Sequence, residues 1–437
     1  MKKIIARIQL ELFLSESLIW PLLMGLSFIV YGSTFGSSVI WDDRFGYIYQ
    51  NVPNTEEVKF FDVIFKYSWP VTYFITEYLP DLFGKTFYLY KLTNLSIHFI
   101  NAYLLQKILN NFNLHSKLKW FVIFCFLFHP YQHMAVSWMI QIKTLTATAF
   151  LFLSILHFFK IKTNKLFSIS SLMFFLLSLK TKFFAILLPF SLILIWPKKI
   201  KILIPFCLIS IGVFIQFYLS KYFVEEVNVF NLPVGADRLL EMNERLSIFY
   251  YLLKHTFVDS IVLINTFPLY NYNFEIYSLI FFLSAFGGVI YLNKSNLRLP
   301  LLIIINLVIF SGIMVAPYMR YTPVSDQNFY HLMPLIAIMI YSVIYKIRSK
   351  SIITFVVVMI IFSSFYSKTF KHEGTFFEKS LLNSDSYIVY VNLSSYYLEI
   401  GMLDEAIEVL EISLDKVHKK HRPVVYKQLQ RLMLYPR

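Results

Sequence analysis

Charge is scarce in this chain. Only 15% of its 437 residues are Asp, Glu, Lys or Arg, and 57% are hydrophobic. Mean hydropathy is +0.60. A water-soluble domain cannot bury that much apolar surface, so most of it is expected to face lipid. Cysteine is scarcer still. Cys125 and Cys207 stand in separate apolar runs, which argues against a disulfide framework or a cysteine metal site and leaves packing as their role. A cleavable leader is also lacking. Residues 1–17 are basic, then amphipathic, and the first apolar span follows without a small-residue cleavage site.

What is abundant fits the same picture. Aromatics make up 19% of the chain, with 46 Phe and 30 Tyr. Tyr suits the membrane interface and Phe suits lipid contact. The formal net charge of +14 could point to nucleic acid, but the basic residues largely cluster in short loops between apolar runs. Membrane topology explains them better, and no nucleic-acid partner is expected.

A spanning helix needs roughly 20 residues. Apolar runs are read near 18–36, 87–108, 118–130, 140–159, 166–180, 183–197, 200–220, 275–292, 299–316, 331–346 and 351–367. Basic clusters at Lys2-Lys3-Arg7, Lys117-Lys119, Lys160-Lys162-Lys165, Lys198-Lys199-Lys201, Lys294-Arg298 and Lys346-Arg348-Lys350 fall on one face if there are about eleven spans. The N-terminus is then cytoplasmic and the C-terminus outside. Residues 246–270 are apolar but carry Lys254, His255 and Asp259. Counting them as a span breaks the charge rule, so they read as an amphipathic or re-entrant element on the outer face. The fold class expected is an all-α polytopic membrane protein.

The composition turns polar after residue 367. Tyr390, Leu393, Tyr397, Gly401, Leu403, Ala406, Leu410 and Ser413 follow the spacing of a 34-residue helix–turn–helix repeat of tetratricopeptide type. The proline usual near the end of such a repeat is absent, and His418 stands there. A simple helical hairpin is the other reading. One repeat cannot bury its own face, so this tail must dock on the membrane domain, pair with residues 420–437, or bind a protein partner. The domains expected are 1–367, with an outer loop at 37–86, and 368–437.

This topology gathers polar residues on the outer side. First among them is the acid pair Asp42-Asp43, just after the first span. Adjacent carboxylates raise one another's pKa, which suits a base working near neutral pH, although side chains adjacent in extended chain point apart. A solvated pair, a helix cap and a divalent-metal site with Glu77, Asp81 and Asp326 are the alternatives. Lys143 and Lys182 stand at outer helix ends as phosphate contacts or as snorkelling anchors. Arg320, beside Tyr321, could bind phosphate bidentately or anchor the interface. His129 and His133 flank Pro130, where capping competes with function, and no third ligand is spaced for zinc. His98 and Asn101 share a helix face and need buried hydrogen bonds.

The outer segments also read as an ordered set. Trp41-Asp-Asp-Arg-Phe-Gly-Tyr47 is followed by Ser68-Trp-Pro-Val-Thr72. Phe128-His-Pro-Tyr-Gln-His-Met-Ala-Val-Ser-Trp138 and Ser178-Leu-Lys-Thr-Lys-Phe-Phe-Ala-Ile-Leu-Leu-Pro189 come next, then Tyr330-His-Leu-Met-Pro334. Their order and the repeat-like tail resemble the transmembrane-and-TPR O-mannosyltransferase-like family, GT-C glycosyltransferases related to the protein O-mannosyltransferases. The resemblance covers nearly the whole chain. It departs at Trp69, where the family often has Arg, at Gln141-Ile-Lys143-Thr144 in place of Glu-Arg-Lys-Asp, and at Asn328-Phe-Tyr330 in place of Asp-Arg-Tyr.

The resemblance implies a GT-C-like bundle with a TPR-like hairpin. It also implies transfer of a sugar from a polyprenyl-phosphate-linked donor to a hydroxyl of a protein or glycan acceptor, with inversion. Asp42 is the expected general base and Asp43 its partner or substitute. Arg320, Lys143, Lys182 and His331 are expected at the donor phosphate. Glu77, His129, His133 and Tyr330 are expected to support the acceptor or the site. The resemblance fixes no cofactor, and a divalent metal is the less favoured option. The setting expected is a bacterial inner membrane, or the ER membrane in a eukaryote. The rival reading is a non-catalytic membrane-anchored TPR scaffold for an envelope complex. A transporter is disfavoured by the lack of paired mid-span charges.

Overall fold

The computed structural model describes residues 16–37, 40, 70–112, 114–161, 166–195, 197–224, 249–250, 252–263, 304, 326–348, 351–382, 384–417 and 419–434. Every regular element among them is helical, as the composition predicts. The longer helices are α1 (Glu16–Tyr31), α2 (Pro70–Phe83), α3 (Phe87–Leu109), α4 (Ser116–Phe128), α5 (Ile142–Lys160), α6 (Leu166–Thr181), α7 (Leu188–Ile195) and α8 (Ile200–Val224). After them come α9 (Met333–Arg348), α10 (Ser351–Ser367), α11 (Glu373–Leu381), α12 (Tyr387–Glu399), α13 (Leu403–Lys416) and α14 (Arg422–Met433).

Four helical stretches are long and apolar enough to cross a membrane: Met139–Lys160, Pro197–Gln216, Phe329–Lys346 and Ser351–Phe370. They mark the protein as membrane-associated. The runs Leu18–Thr34 and Ser168–Thr181 are shorter apolar helices. Helix α3 has the length of a span, but Lys91, Asn94, His98 and Asn101 lower its hydropathy. These four repeat at three- and four-residue intervals and are all buried, so they form one inward stripe. The run at 183–197 is not one α-helix: a 3-10 turn, Phe183–Leu187, leads into the eight-residue α7. Pro189 sits in the first turn of α7, where its missing N–H interrupts no helical bond. The runs at 275–292 and 299–316 lie outside the described residues.

Helix α5 packs along α3 and α6, and α4 packs on α9. Small polar residues join α5 to α6. Ser154 and Ser171 each donate to the other's backbone carbonyl at 2.8 Å, and Ser178 donates to the Ala147 carbonyl at 2.8 Å. Small residues bring backbones close, and interhelical bonds of this kind contribute about 0.6 kcal/mol each in a membrane. Cys125 is buried and Cys207 half-buried, and both are free thiols.

The tail is joined to this bundle. Phe376 and Phe377 of α11 and Val389 and Leu393 of α12 share an apolar cluster with Ile40, Met134, Trp138, Tyr366 and Phe370. Fully burying each such side chain contributes about 1.5–3 kcal/mol. On its other side, Tyr390, Ala406 and Leu410 pack with Val425, Leu429 and Leu432 of α14. Two of the three expected ways to cover the tail's apolar face are therefore both used. Gly401 ends α12 at φ +83°, a left-handed conformation that favours glycine.

Candidate functional site

The site is organised by the 3-10 turn Asp326–Leu332, in which three successive side chains meet three different neighbourhoods. Phe329 packs on Tyr131 and His255, with ring centroids 5.5 and 5.0 Å away. Tyr330 enters the polar stripe of α3, its hydroxyl 2.7 Å from His98 Nδ1. His331 stacks on Phe184 at 4.0 Å.

The Tyr330 neighbourhood is a buried hydrogen-bond network. His98 Nε2 faces the Leu127 carbonyl at 3.2 Å, so its proton sits there, and Nδ1 accepts from Tyr330. Asn101 Nδ2 donates to the Tyr330 hydroxyl at 3.2 Å and to the Leu145 carbonyl at 2.9 Å. One phenol thus joins the 326–332 turn to α3, α4 and α5. This is the buried hydrogen bonding expected for His98 and Asn101, and it makes Tyr330 a support.

The His331 neighbourhood is cationic. Lys182 lies between α6 and the Phe183–Leu187 turn, and its ammonium donates to Thr144 Oγ1 at 2.7 Å. Thr144 in turn donates to Gln141 Oε1 at 2.7 Å. Burial pushes the Lys182 ammonium well below its ordinary value, and the charge of Lys143 adds to the shift. His331 is close enough to feel the charge of Lys182. Residues 82–224, which contain both lysines, include no Asp or Glu. Among the described residues no carboxylate pairs with Lys182. Thr72 at the start of α2 donates to the Thr181 carbonyl and ties the hinge to that helix. Of the four residues expected at a donor phosphate, Lys143 and His331 are each linked to Lys182 through its charge; Arg320 lies outside the described residues.

Trp138 and Gln141 are three residues apart. Gln141 ends the lysine relay, whereas the Trp138 indole donates to the Ile40 carbonyl at 3.0 Å. Ile40 is the last described residue before Asp42 and Asp43, which lie outside the described residues, and Ser37 is tied nearby. Lys91, only 1% exposed, reaches the Ser37 carbonyl with its ammonium at 3.5 Å. Glu77 belongs to α2, and its side chain is likewise outside the described residues.

His129 caps the Pro130–Gln132 turn by accepting from the Tyr131 N–H, and its Nε2 bonds the Ser260 carbonyl at 3.1 Å. His133 bonds Ser363 at 2.7 Å and stacks over Phe370. His133 thus sits where tail and bundle meet, and His129 is built into the core beside the 255–260 turn. Within the 246–270 element, expected to be amphipathic or re-entrant, the described residues from His255 to Ser260 are buried. They form a π-helical turn in which His255 Nδ1 lies 3.3 Å from Asp259 Oδ2 and the His255 ring stacks on Tyr131 at 4.1 Å.

Buried Lys91 and the His255–Asp259 pair were not singled out by the motifs. Lys91 was legible in principle, because it opens the polar stripe of α3. The His–Asp pair has i, i+4 spacing, which signals only that two side chains share a face. Among the described residues no group of three His, Cys, Asp or Glu side chains could hold a metal. Compared with protein-family models, curated proteins and solved structures, the chain finds no match.

Proposed function

We propose that this protein is a membrane glycosyltransferase of GT-C type, moving a sugar from a polyprenyl-phosphate donor to a hydroxyl of a protein or glycan. The observation that carries this reading is that the charge of Lys182 is felt by His331 and meets that of Lys143, while residues 82–224, which hold both lysines, contain no Asp or Glu. Cations gathered without a carboxylate at Lys182 are relieved by an anion, and a lipid phosphate at a helix end is an anion at the right depth.

In the proposed reaction the acceptor oxygen attacks the anomeric carbon. The bond from that carbon to the phosphate oxygen breaks, and the electron pair leaves on the phosphate. Lys182, Lys143, His331 and Arg320 stabilise that charge. The acceptor proton passes to Asp42, oriented by Asp43. The Trp138–Ile40 hydrogen bond supports this assignment because it ties the chain entering the acid pair to the segment that ends the lysine relay. The reading includes about eleven spans, an outer-face site, a cytoplasmic N-terminus and a TPR-like tail docked beside the site.

The test replaces Asp42 and Lys182 separately, by Asn and by Met, at matched expression, and follows glycans on envelope proteins by mass spectrometry. Loss of one glycan class in both variants is expected. If both retain every glycan while removal of residues 368–437 abolishes the phenotype, the scaffold reading replaces the enzyme.

A further inference from the structure

A polar cavity lies away from the Lys182 cluster, where the C-terminal end of α3 meets the start of α4. It measures about 250 Å³ and is lined by Gln106, Asn110, Ser116, Lys119, Trp120 and Ile123. We propose that it binds the phosphate headgroup of a membrane phospholipid. The inference is independent of the sugar-transfer reading.

Three observations carry it. Gln106 is 7% exposed and lines the cavity, yet its side-chain amide makes no hydrogen bond among the described residues. Its amide borders the cavity, and a ligand oxygen there would accept from its N–H. Lys119 supplies the cation. Its ammonium has three donors, of which one goes to Asn110 Oδ1 at 3.3 Å. Ser116 opens α4, adding a hydroxyl and the unsatisfied N–H groups of a helix N-terminus, which favour an anion. No acidic residue lies anywhere from 82 to 224.

The surroundings favour a lipid over a free anion. Trp120 packs beside Trp20 at 6.3 Å, and Trp20 meets Phe99 and Tyr103 edge-on at 5.2 and 5.6 Å. The Lys107 ammonium sits 4.9 Å over the Tyr103 ring. Trp and Tyr bodies with lysine tips mark headgroup depth. Leu18 and Ile100, on the same helices as Trp20 and Phe99, are exposed apolar residues of the kind an acyl chain covers.

The test uses the full-length protein in detergent and native mass spectrometry with three probes: short-chain phosphatidylglycerol, short-chain phosphatidylcholine and inorganic phosphate. Wild type is expected to retain a phospholipid. Lys119→Gln and Gln106→Leu are each expected to weaken retention about tenfold, with Lys198→Gln unchanged. Thermal unfolding of each variant without lipid identifies any that fail to fold. A preference for phosphatidylglycerol over phosphatidylcholine would show that Lys119 reads net charge, and equal retention that the site reads the phosphodiester alone; both support the site. Retention unchanged in both cavity variants overturns it, as does inorganic phosphate displacing the lipid at equal concentration, which would make the ligand a free anion.

Discussion

The indole of Trp138 donates to the Ile40 carbonyl at 3.0 Å, across 98 positions of sequence. Trp138→Phe keeps the ring that packs 6.2 Å from Phe376 and removes only the N–H. A net loss of about 1 kcal/mol in stability is expected. Because the bond holds the approach to Asp42, transfer should fall by more than stability does. Glycan yield measured at equal folded protein separates the two effects.

Thr144 takes part in two hydrogen bonds at once, accepting from Lys182 and donating to Gln141. Thr144→Val keeps the shape and leaves the Gln141 oxygen unsatisfied in a buried setting, at about 1–3 kcal/mol. The released lysine should raise KM for the lipid donor with less change in kcat. Lys182→Met removes the cation itself and is expected to lower kcat/KM about 10²-fold. A variant that binds and transfers the donor normally would exclude Lys182 from the phosphate site.

Lys182 also sets a pH dependence. Its ammonium is held well below the ordinary 10.5 by burial and by Lys143. With the folded value depressed below the unfolded one, keeping this lysine charged opposes folding at low pH. That opposition fades as pH rises through the folded value toward 10.5. A bound phosphate restores the charged form, so donor binding takes up a proton. Donor affinity should therefore fall as pH rises through the depressed value, measured by titration calorimetry in two buffers of different ionisation enthalpy. In Lys182→Arg the dependence should disappear, because guanidinium stays charged.

Tyr330 is a support whose removal can be timed against function. Tyr330→Phe strips His98 Nδ1 of its donor and Asn101 of an acceptor. A destabilisation of about 1–3 kcal/mol is expected, read as a lower thermal midpoint. KM for the donor should change little, since the phenol lies on a different side of the turn from His331.

Gly374 tests the seam within the tail. A Cβ there would run into the ring of Tyr396, which stacks on His372 with an interplanar angle of 5°. Gly374→Ala is expected to cost about 1–3 kcal/mol, and Tyr396→Leu in the same chain should recover part of it. His372→Ala removes the side chain that caps α11 by accepting from the Thr375 N–H and should cost about 1 kcal/mol. Circular dichroism melting reads both.

Helical character was legible because long apolar runs leave few other structures open in lipid. Lys143, Lys182 and His331 were legible as polar residues at helix ends, but that the charge of Lys182 would reach His331 was not. The break at Phe183–Leu187 was not, because hydropathy does not register a 3-10 turn. Nor did the pattern around Tyr390 and Ala406 say which surfaces would cover it. That depended on Phe376 and Phe377, whose partners Met134 and Trp138 are far away in sequence. The π-helical turn at His255–Asp259 left no mark in the sequence, since an extra residue in a helical turn does not alter composition.

The cluster that joins Ile40 and Trp138 to Phe376, Val389 and Leu393 has a consequence for synthesis. A chain emerging from its N-terminus makes Ile40 and Trp138 long before the residues that cover them. Contacts across such separations form late and slowly. Until α11 and α12 have docked, one wall beside the candidate site stays open, and under the proposed sugar transfer a nascent chain arrested before residue 393 would be inactive. Completion of the tail would then be the event that switches the proposed transfer on.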